Sequence, residues 1–494
     1  MTPVLTLAEV REIEARAARA GLALMERAGR AVADAARRFA ADTGAPILVV
    51  AGPGNNGGDA WVAAAALAET FHRVTVLDAT GAPPQAPDAA RAKGAFVAAR
   101  GAIAREWPAG LRPALVVDGL LGIGLARDVE PAFAAIISQV NRCGAPVLAI
   151  DVPSGIDAER GTVRGAAVRA THTLTFIAHK PGLLTGDALD YRGELSCDAL
   201  GTGEFQAEAR GALLDEAAVR AWLKPRLRNT HKGDYGTVAV IGGQRGMVGA
   251  ALLTARAALY CGAGKVRVGL LASDAPAVDL VHPELMLSSV DDALGEGVAV
   301  AGPGAGRSPS ATSVSMFERN VLPALFHLAR PIVLDADALN AVAFNASLET
   351  DLAARTRAPT LLTPHPGEAA RLLHRSTAQV NDDRVGTALA LAKRFNAHVV
   401  LKGAGSVCAS PDGRWSINTT GNPGLATPGS GDVLAGIVGA LLAQGLAPAH
   451  ALQAAVCIHG AAADACVASG AGPAGLTASE IVLAARGVLN DWSK

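Results

Sequence analysis

Over the first 200 residues, short β-rich apolar runs alternate with longer Ala-rich stretches of helical period, the pattern of a parallel sheet with crossover helices. Residues 47–51 (ILVVA), 74–77 (VTVL), 114–117 (ALVV), 146–150 (PVLAI) and 171–177 (THTLTFI) are the predicted strands, and nearly all are followed by Gly, Asp or Asn. Open α/β sheets place their ligands at those carboxyl ends. One long helix is predicted from Ala8 to about Ala40, with Thr6 as its cap and Glu9 completing a capping box. Regularity lapses between residues 200 and 227, which marks a domain boundary. The alternation then restarts with strands at 237–241 (TVAVI), 266–271, 298–301, 332–334, 360–362 and 399–401, and from Asp432 onward the pattern is almost wholly helical. Two α/β domains are expected, residues 1–208 and 215–494, the second ending in helices that cover its sheet.

Composition changes this picture at a few points. Half of the 494 residues are hydrophobic, but they include only 10 Phe, 5 Trp and 3 Tyr, so the core is mostly Ala, Val and Leu and suits close helix-on-sheet packing. Lys and Arg number 44 against 45 Asp and Glu, a net charge of −1. That excludes the electrostatic footprint of a general nucleic-acid binder or a polybasic membrane-surface protein. The six cysteines (Cys143, Cys197, Cys261, Cys408, Cys457, Cys466) form no Cys-x-x-Cys pair and read as reduced thiols of a cytoplasmic protein. The N-terminal MTPVLTLAEVREIEARAARAG carries charges where a secretory signal needs an apolar core, so no export is expected. Residues 433–463 lack Asp, Glu, Lys and Arg, yet Gln444, Pro448, His450 and Gln453 interrupt them. Two buried helices with a turn at 446–449 are therefore predicted, not a membrane span. An even-numbered homo-oligomer is the base-rate expectation.

In the first domain, strand 47–51 runs into Gly52-Pro-Gly-Asn-Asn-Gly-Gly-Asp59 ahead of an Ala-rich helix. Glycines there let the backbone approach a ligand, and a helix N-terminus offers N–H groups to a phosphate. Gly52, Gly54 and Gly57 satisfy G-x-G-x-x-G, and Asp78 stands where a dinucleotide-binding domain keeps its ribose acid, so a Rossmann-like three-layer sandwich with a nucleotide ligand is expected. Pro53 and the polar group Asn55, Asn56 and Asp59 count against an ordinary dehydrogenase. Two more strand ends are acidic, at Asp118 in VVDGLLGIG and Asp151 in AIDVPSGID. Asn56, Asp118 and Ser154 would offer oxygen ligands at neighbouring strand ends, which suits a hard cation held loosely. A single Asp at a strand end caps a turn about as often as it serves a site. Three converging loops favour the site.

NNGGD after the first strand, VDGLLGIG, DVPSGID and Lys180-Pro-Gly, in this order, resemble the NAD(P)H-hydrate epimerase family over roughly residues 8–200. The resemblance implies that Asn55, Asn56, Gly57, Gly58, Asp59, the loop of Gly122, Ile123, Gly124, Leu125, Ala126, Arg127 and Asp128, and Asp151 contact hydrated NADH or NADPH (NADHX, NADPHX). It also implies potassium bound by Asn56, Asp118 and Ser154. Ala60 departs from the pattern, since the family usually has glycine there. The implied reaction interconverts R and S hydrates at C6 of the nicotinamide ring and needs a group that exchanges a proton as the C–O bond breaks and reforms. Asp118, Asp151 and Lys180 are candidates. Potassium would reduce the basicity of Asp118, which leaves Asp151 as the expected acid/base, while a Lys beside Pro-Gly reads as a solvated loop residue.

In the second domain, Asn422-Pro-Gly-Leu-Ala-Thr-Pro-Gly-Ser-Gly-Asp432 feeds straight into the helix VLAGIVGALLA. Such a loop collects N–H groups around a transferring phosphoryl group, and Asp432 in the first turn can take the proton of the attacking hydroxyl. The blander reading is an Asp that complements the helix dipole. This loop resembles the ribokinase-like superfamily. GAALLTARAAL from Gly249, Gly302-Pro-Gly-Ala-Gly306, LDADALN from Leu334, TPHPGE from Thr363 and LKGAGS from Leu401 are similar, in order, to ADP-dependent NAD(P)H-hydrate dehydratase from about residue 215 to the end. That resemblance implies a ribokinase-like α/β domain in which Ala250, Gly306, His365 and Asp432 meet the hydrate. It gives the adenine nucleotide to Lys402, Gly403, Ala404, Gly405 and Ser406 and to the loop with Asn422, Thr427, Gly429, Ser430 and Gly431. Lys402 with the Gly403 and Gly405 backbone suits a phosphate cradle. His365 alone, between prolines, reads as a turn residue. Asp335 and Asp337 either help place Mg²⁺ through water or cap the following helix.

The resulting expectation is a two-activity repair enzyme, an isomerase fused to a lyase. One domain epimerises R- and S-NAD(P)HX. The other phosphorylates the C6 hydroxyl of the S form with ADP and expels phosphate, giving NAD(P)H, AMP and phosphate. Hydroxide is a poor leaving group and phosphate a good one, which supplies the chemical reason. Two competitors remain at this stage: a vitamin-type small-molecule kinase with an N-terminal nucleotide-sensing domain, and a front domain that binds without turnover. A dehydrogenase is the weakest reading, because nothing else in the chain supplies a hydride-transfer site.

Overall fold

The structure is a computed structural model that describes residues 1–81, 86–205, 208–306 and 315–494. The chain divides into two compact units, Pro3–Gly211 and Ala212–Lys494, the latter joined by Met1–Thr2.

In the first unit the apolar runs form a parallel sheet in the order Ala102–Ala104, Val74–Asp78, Ile47–Ala51, Leu115–Gly119, Val147–Ile150, His172–Phe176, Glu194–Asp198. Numbered along the chain this is 3-2-1-4-5-6-7, so the order reverses between Ile47–Ala51 and Leu115–Gly119. Strands buried on both faces need no polar alternation. Ile47 and Val49 pack with Val32, Trp61 and Phe96, and Leu48 and Val50 pack with Ile137 and Val140 on the other side. Helices thus cover both faces, and the unit is the three-layer α/β sandwich expected. The two strands that escaped notice, Ala102–Ala104 and Glu194–Asp198, lie at the sheet edges and are largely exposed, so they carry little apolar signal.

The single N-terminal helix expected from Ala8 to Ala40 is in fact two, Leu7–Arg19 and Leu24–Phe39. Gly21 has φ +84°, a left-handed conformation that ends the first helix at little steric cost to glycine. The capping box is present: Glu9 N–H donates to Thr6 Oγ1, and Thr6 N–H donates to Glu9 Oε2 at 2.8 Å.

In the second unit, Met286–Ser288, Lys265–Leu270, Thr237–Gly242, Val298–Ala301, Ile332–Leu334, Thr360–Leu362 and His398–Leu401 run parallel in that spatial order. It is again 3-2-1-4-5-6-7 along the chain. Ser406–Ala409 and Trp415–Asn418 continue the sheet antiparallel, a hairpin the sequence reading missed. Helices Ser430–Ala443, Pro448–Ala468 and Ala478–Trp492 follow. The uncharged stretch 433–463 falls in the first two of these, broken between Ala443 and Pro448 as expected. Pro448–Ala468 is long and apolar enough to cross a membrane by length and composition. Here Ala451, Leu452, Ala455, Ile458 and Ala462 bury it in the domain core.

Candidate active sites

The strand-order reversal of the first sheet opens a cavity of about 730 Å³ lined by Asn55, Asn56, Asp59, residues 120–130, Asp151 and Lys180, with helix residues Val10, Arg11, Glu14 and Ala18 on another side. A crevice at that point is where doubly wound sheets bind ligands. Strand Ile47–Ala51 delivers the Asn55–Asp59 segment as the first turn of helix Asn55–Glu69. Its neighbour Leu115–Gly119, in register at Val50↔Asp118 and Ala51↔Gly119, delivers Asp118 and the loop beyond. Ala60, where a glycine was expected, is fully buried against Gly119. A Cβ on Gly119 would lie 2.6 Å from the Ala60 Cβ, so the methyl at 60 requires the glycine at 119.

Asn56, Asp118 and Ser154 meet. Ser154 Oγ donates to Asp118 Oδ1 at 2.6 Å, Ser154 N–H to Asp118 Oδ2 at 2.9 Å, and Leu121 N–H to Ser154 Oγ at 2.8 Å. Asn56 Nδ2 donates to the Leu121 carbonyl at 2.9 Å, and among the described residues no donor engages its Oδ1. Asp118 is 1% exposed, and burial raises its pKa above the usual carboxylate value against the hydrogen bonds from Ser154 and Leu120. A buried carboxylate whose described partners are neutral donors, beside an unengaged amide oxygen, fits a monovalent cation.

Asp151 stands at the end of strand Val147–Ile150 with φ +62°, a strained conformation for a residue other than glycine. Its Oδ1 accepts from Thr175 Oγ1, Phe176 N–H and the Lys180 ammonium. Lys180 is 1% exposed and also donates to Thr175 Oγ1 and the Phe176 carbonyl, each at 2.8 Å. The solvated-loop reading of Lys180 is thus overturned: the Pro-Gly turn folds its side chain inward onto Asp151. Burial, then Asp151 and Glu14, hold Asp59 well above its usual range, and burial, then Asp151, raises Glu14. The loop's far end is a rim, where Arg127 is 80% exposed and pairs with Glu130.

Asp78, expected as a ribose acid, is not brought to this cavity. It is buried, pairs with Lys93 at 2.7 Å and Arg105 at 3.6 Å, and lies outside the lining of the cavity.

In the second unit, Asp432 lies in the first turn of Ser430–Ala443, behind the left-handed Gly429 (φ +86°). Burial, then Asp335, push its carboxyl up to about 7, with Asp337 and Glu368 adding to the effect and Lys402 opposing it. The Lys402 ammonium donates to Asp335 Oδ1 at 2.8 Å and lies 3.9 Å from Glu368. A Cβ at Gly431 would lie 3.2 Å from that ammonium, which places the glycine loop beside it. Asp335 sits at the N-cap of Ala336–Phe344 but makes no capping hydrogen bond, so the capping reading fails for it. Its carboxylate instead accepts from Lys402 and from Thr363 Oγ1 at 2.8 Å.

His365 caps helix Pro366–Leu372, its Nδ1 accepting from Gly367 and Glu368 N–H. Its proton therefore sits on Nε2, 3.2 Å from Glu368 Oε1. Burial, then Lys402, lower its pKa, and burial raises that of Glu368 to about 7. Gly306 N–H donates to Asp337 at 2.9 Å, and Ala250 abuts Gly304, where a Cβ would lie 3.0 Å from its methyl. Gly403 and Ala404 are exposed, and Ser406 Oγ donates to the Gly403 carbonyl at 3.0 Å. Asn422 is occupied locally, accepting from Gly424 N–H and donating to Asp464, while the Thr427 carbonyl accepts from Ser430 N–H.

Four residues escaped the sequence reading or its role assignments. Arg384 is buried and donates to the carbonyls of Leu401, Lys402 and Gly405, fixing the loop from beneath. His459, on the apolar helix Pro448–Ala468, faces Ser430 Oγ at 3.3 Å, and burial lowers its pKa to about 4. Glu368 was in a quoted motif with no role. Glu14 had the clearest available signal: Val10, Ile13, Glu14 and Ala17 follow i, i+3, i+4, i+7, a charge on an otherwise buried helix face.

Two family models match the chain, one described as NAD(P)H-hydrate dehydratase over residues 238–483 and one as YjeF-related protein N-terminus over residues 21–182. The chain is 39% identical over 478 residues to the bifunctional NAD(P)H-hydrate repair enzyme Nnr of Escherichia coli (strain K12), covering 94% of this chain and 89% of that protein. It is 39% identical over 502 residues to the enzyme so named in Coxiella burnetii, covering 97% and 98%. Among solved structures it is similar to the ADP/ATP-dependent NAD(P)H-hydrate dehydratase from Bacillus subtilis co-crystallized with ATP and Mg²⁺, at 30% identity over 57% of this chain and 98% of that one, TM-score 0.49.

Proposed function

The chain belongs to the family of bifunctional NAD(P)H-hydrate repair enzymes, and from that premise we propose how its two sites divide the work. It is an enzyme that epimerises R- and S-NAD(P)HX and dehydrates the S form to NAD(P)H. The cavity of the first unit takes the hydrated nicotinamide, with Asn55, Asn56, Gly57, Gly58 and Asp59 on one side and residues 122–128 on the other. Asp151 exchanges the proton, and Lys180 orients its carboxylate. Potassium bound by Asn56, Asp118 and Ser154 would offset the Asp118 charge and fix the loops that carry them.

In the second unit ADP donates its terminal phosphoryl group to the C6 hydroxyl of the S hydrate, and phosphate then leaves. Asp432 takes the hydroxyl proton; the loop 422–431, through the N–H groups of Gly429 and Gly431 that flank Ser430, and the loop Lys402–Ser406 receive the phosphates. Ala250 and Gly306 contact the hydrate, and His365, fixed as an Nε2–H donor, gives it a hydrogen bond. Asp335, Asp337, Glu368 and Asp432 set four carboxylates against Lys402, an excess of negative charge that fits Mg²⁺. Among the described residues no three His, Cys, Asp or Glu side chains converge to hold an ion by themselves. Mg²⁺ would therefore be bound jointly with nucleotide phosphates, whose charge it neutralises. All six cysteines are free thiols, which supports a cytoplasmic setting.

The observation that carries the residue assignment is the placement of Asp432, at a glycine-loop helix N-terminus with a carboxyl held near neutral pH. The test is to incubate the full chain with mixed R- and S-NADHX, ADP, Mg²⁺ and K⁺, following reduced-nicotinamide absorbance and free phosphate together. Conversion of both epimers with equal phosphate release is expected. Conversion of the S half alone would overturn the epimerase assignment, and phosphorylated product without NADH would overturn the dehydratase in favour of a kinase.

A further inference from the structure

Inversion at C6 moves a proton twice. The hydroxyl leaves as water after taking a proton, while the ring nitrogen's lone pair supports the cationic carbon. Water then adds to the opposite face and gives a proton up. Asp151, set against the buried Lys180 ammonium, can serve only one of these two transfers in a given direction. A second, protonated group is required on the same cavity.

Helix Leu7–Arg19 buries Val10, Ile13 and Ala17 and turns Glu14 into the cavity that Asp59, Asp151 and Lys180 also line. The Glu14 carboxyl makes no hydrogen bond or ion pair with any described residue. Four charged groups face this carboxyl: Arg11 from its own helix, Asp59 from helix Asn55–Glu69, Asp151 from the strand end and Lys180 from the turn before Pro181–Leu183. Three carboxylates share this space with Lys180 and Arg11, and burial and Asp151 outweigh the two cations at Glu14, whose carboxyl is raised above its ordinary value. Burial and the neighbouring carboxylates raise both Glu14 and Asp59 above their ordinary range.

We propose that Glu14 is a further catalytic residue of the epimerisation, the acid that protonates the departing C6 hydroxyl while Asp151 takes the proton of the returning water. The C6–O bond breaks with its electron pair leaving on the new water molecule, and a new C6–O bond forms from incoming water on the other face. One turnover leaves Glu14 ionised and Asp151 protonated, which is the starting state of the reverse reaction, and proton exchange with solvent resets it. The inference rests on the epimerase reading of this cavity.

The test uses the full chain with purified R-NADHX and no ADP, so that nothing is dehydrated, and follows the R to S ratio by chromatography. Glu14→Gln is expected to lower exchange about 100-fold or more, to change the affinity for R-NADHX by less than about threefold, and to leave ADP-dependent dehydration of S-NADHX intact. Glu14→Asp should recover part of the rate. In the wild type, exchange should decline as pH rises and Glu14 ionises, a limb absent from Glu14→Gln. Exchange by Glu14→Gln within about threefold of wild type overturns the role of Glu14 alone. If the wild type does not exceed the uncatalysed rate, the epimerase reading falls and takes this inference with it.

Discussion

The Lys402 ammonium sits 2.8 Å from Asp335 Oδ1, the same oxygen that accepts from Thr363 Oγ1 at 2.8 Å. Asp335 is 1% exposed, so this carboxylate has little access to water and the ammonium is its charged partner. Burial alone would lower the Lys402 pKa, but Asp335 and Glu368 more than offset it and raise it. The lysine is therefore part of the site's internal charge balance before any nucleotide arrives.

Lys402→Met should leave a buried carboxylate without its partner and destabilise the second unit by about 3 kcal/mol. Urea unfolding of the full chain reads this as a lower midpoint, and ADP-dependent dehydration should be lost while R/S exchange persists. An unchanged midpoint would show that Asp335 finds other compensation.

Asp432 should trade stability for activity. As a base it must be ionised, so dehydration should rise with pH through about 7. The folded pKa lies above the ordinary 3.8, so the unfolded state ionises first as pH rises, and wild-type stability falls between those two values. Asp432→Asn cannot ionise. It should be inert in dehydration, match the wild type near the acid end of that window, and exceed it above about pH 7 by on the order of 1–2 kcal/mol, discounted for partial exposure. Thermal unfolding across this pH range checks both the sign and the window.

What the sequence disclosed follows from which forces leave a periodic trace. Strands such as Ile47–Ala51 and Val298–Ala301 are buried on both faces and read as unbroken apolar runs. Edge strands such as Glu194–Asp198 have no such run and were invisible. Asp118 and Ser154 stood in strand-end motifs, and the sheet order brings them within 2.6 Å of each other. Lys180 was misread because its partner Asp151 is 29 residues away and only the parallel pairing of Val147–Ile150 with His172–Phe176 brings the two together. Glu14 was overlooked because a surface-type residue on an amphipathic helix attracts no notice until the cavity beside it is known.

Gly21 separates helices Leu7–Arg19 and Leu24–Phe39, and the apolar period runs on across it, which is why one helix was expected. No atom lies within 4 Å of a Cβ placed there, so any cost of Gly21→Ala comes from the backbone at φ +84°. A loss of about 1 kcal/mol is expected. Equal stability of the variant by urea unfolding would mean that the helix break relaxes.

The cation assignment can be tested without turnover. Asp118 is buried beside Ser154 with its described partners all neutral, so a cation should stabilise the folded first unit and not the unfolded chain. At tenfold above its dissociation constant, K⁺ would add about 1.4 kcal/mol, read as a rise in unfolding temperature over Li⁺ at equal ionic strength. Asp118→Asn removes the charge that attracts the ion but keeps an oxygen that can accept from Ser154. It should lose the K⁺-specific rise, and R/S exchange should become slow in either salt. A wild type that unfolds identically in K⁺ and Li⁺ would exclude potassium at Asn56, Asp118 and Ser154, and the raised Asp118 carboxyl would then be explained by a retained proton.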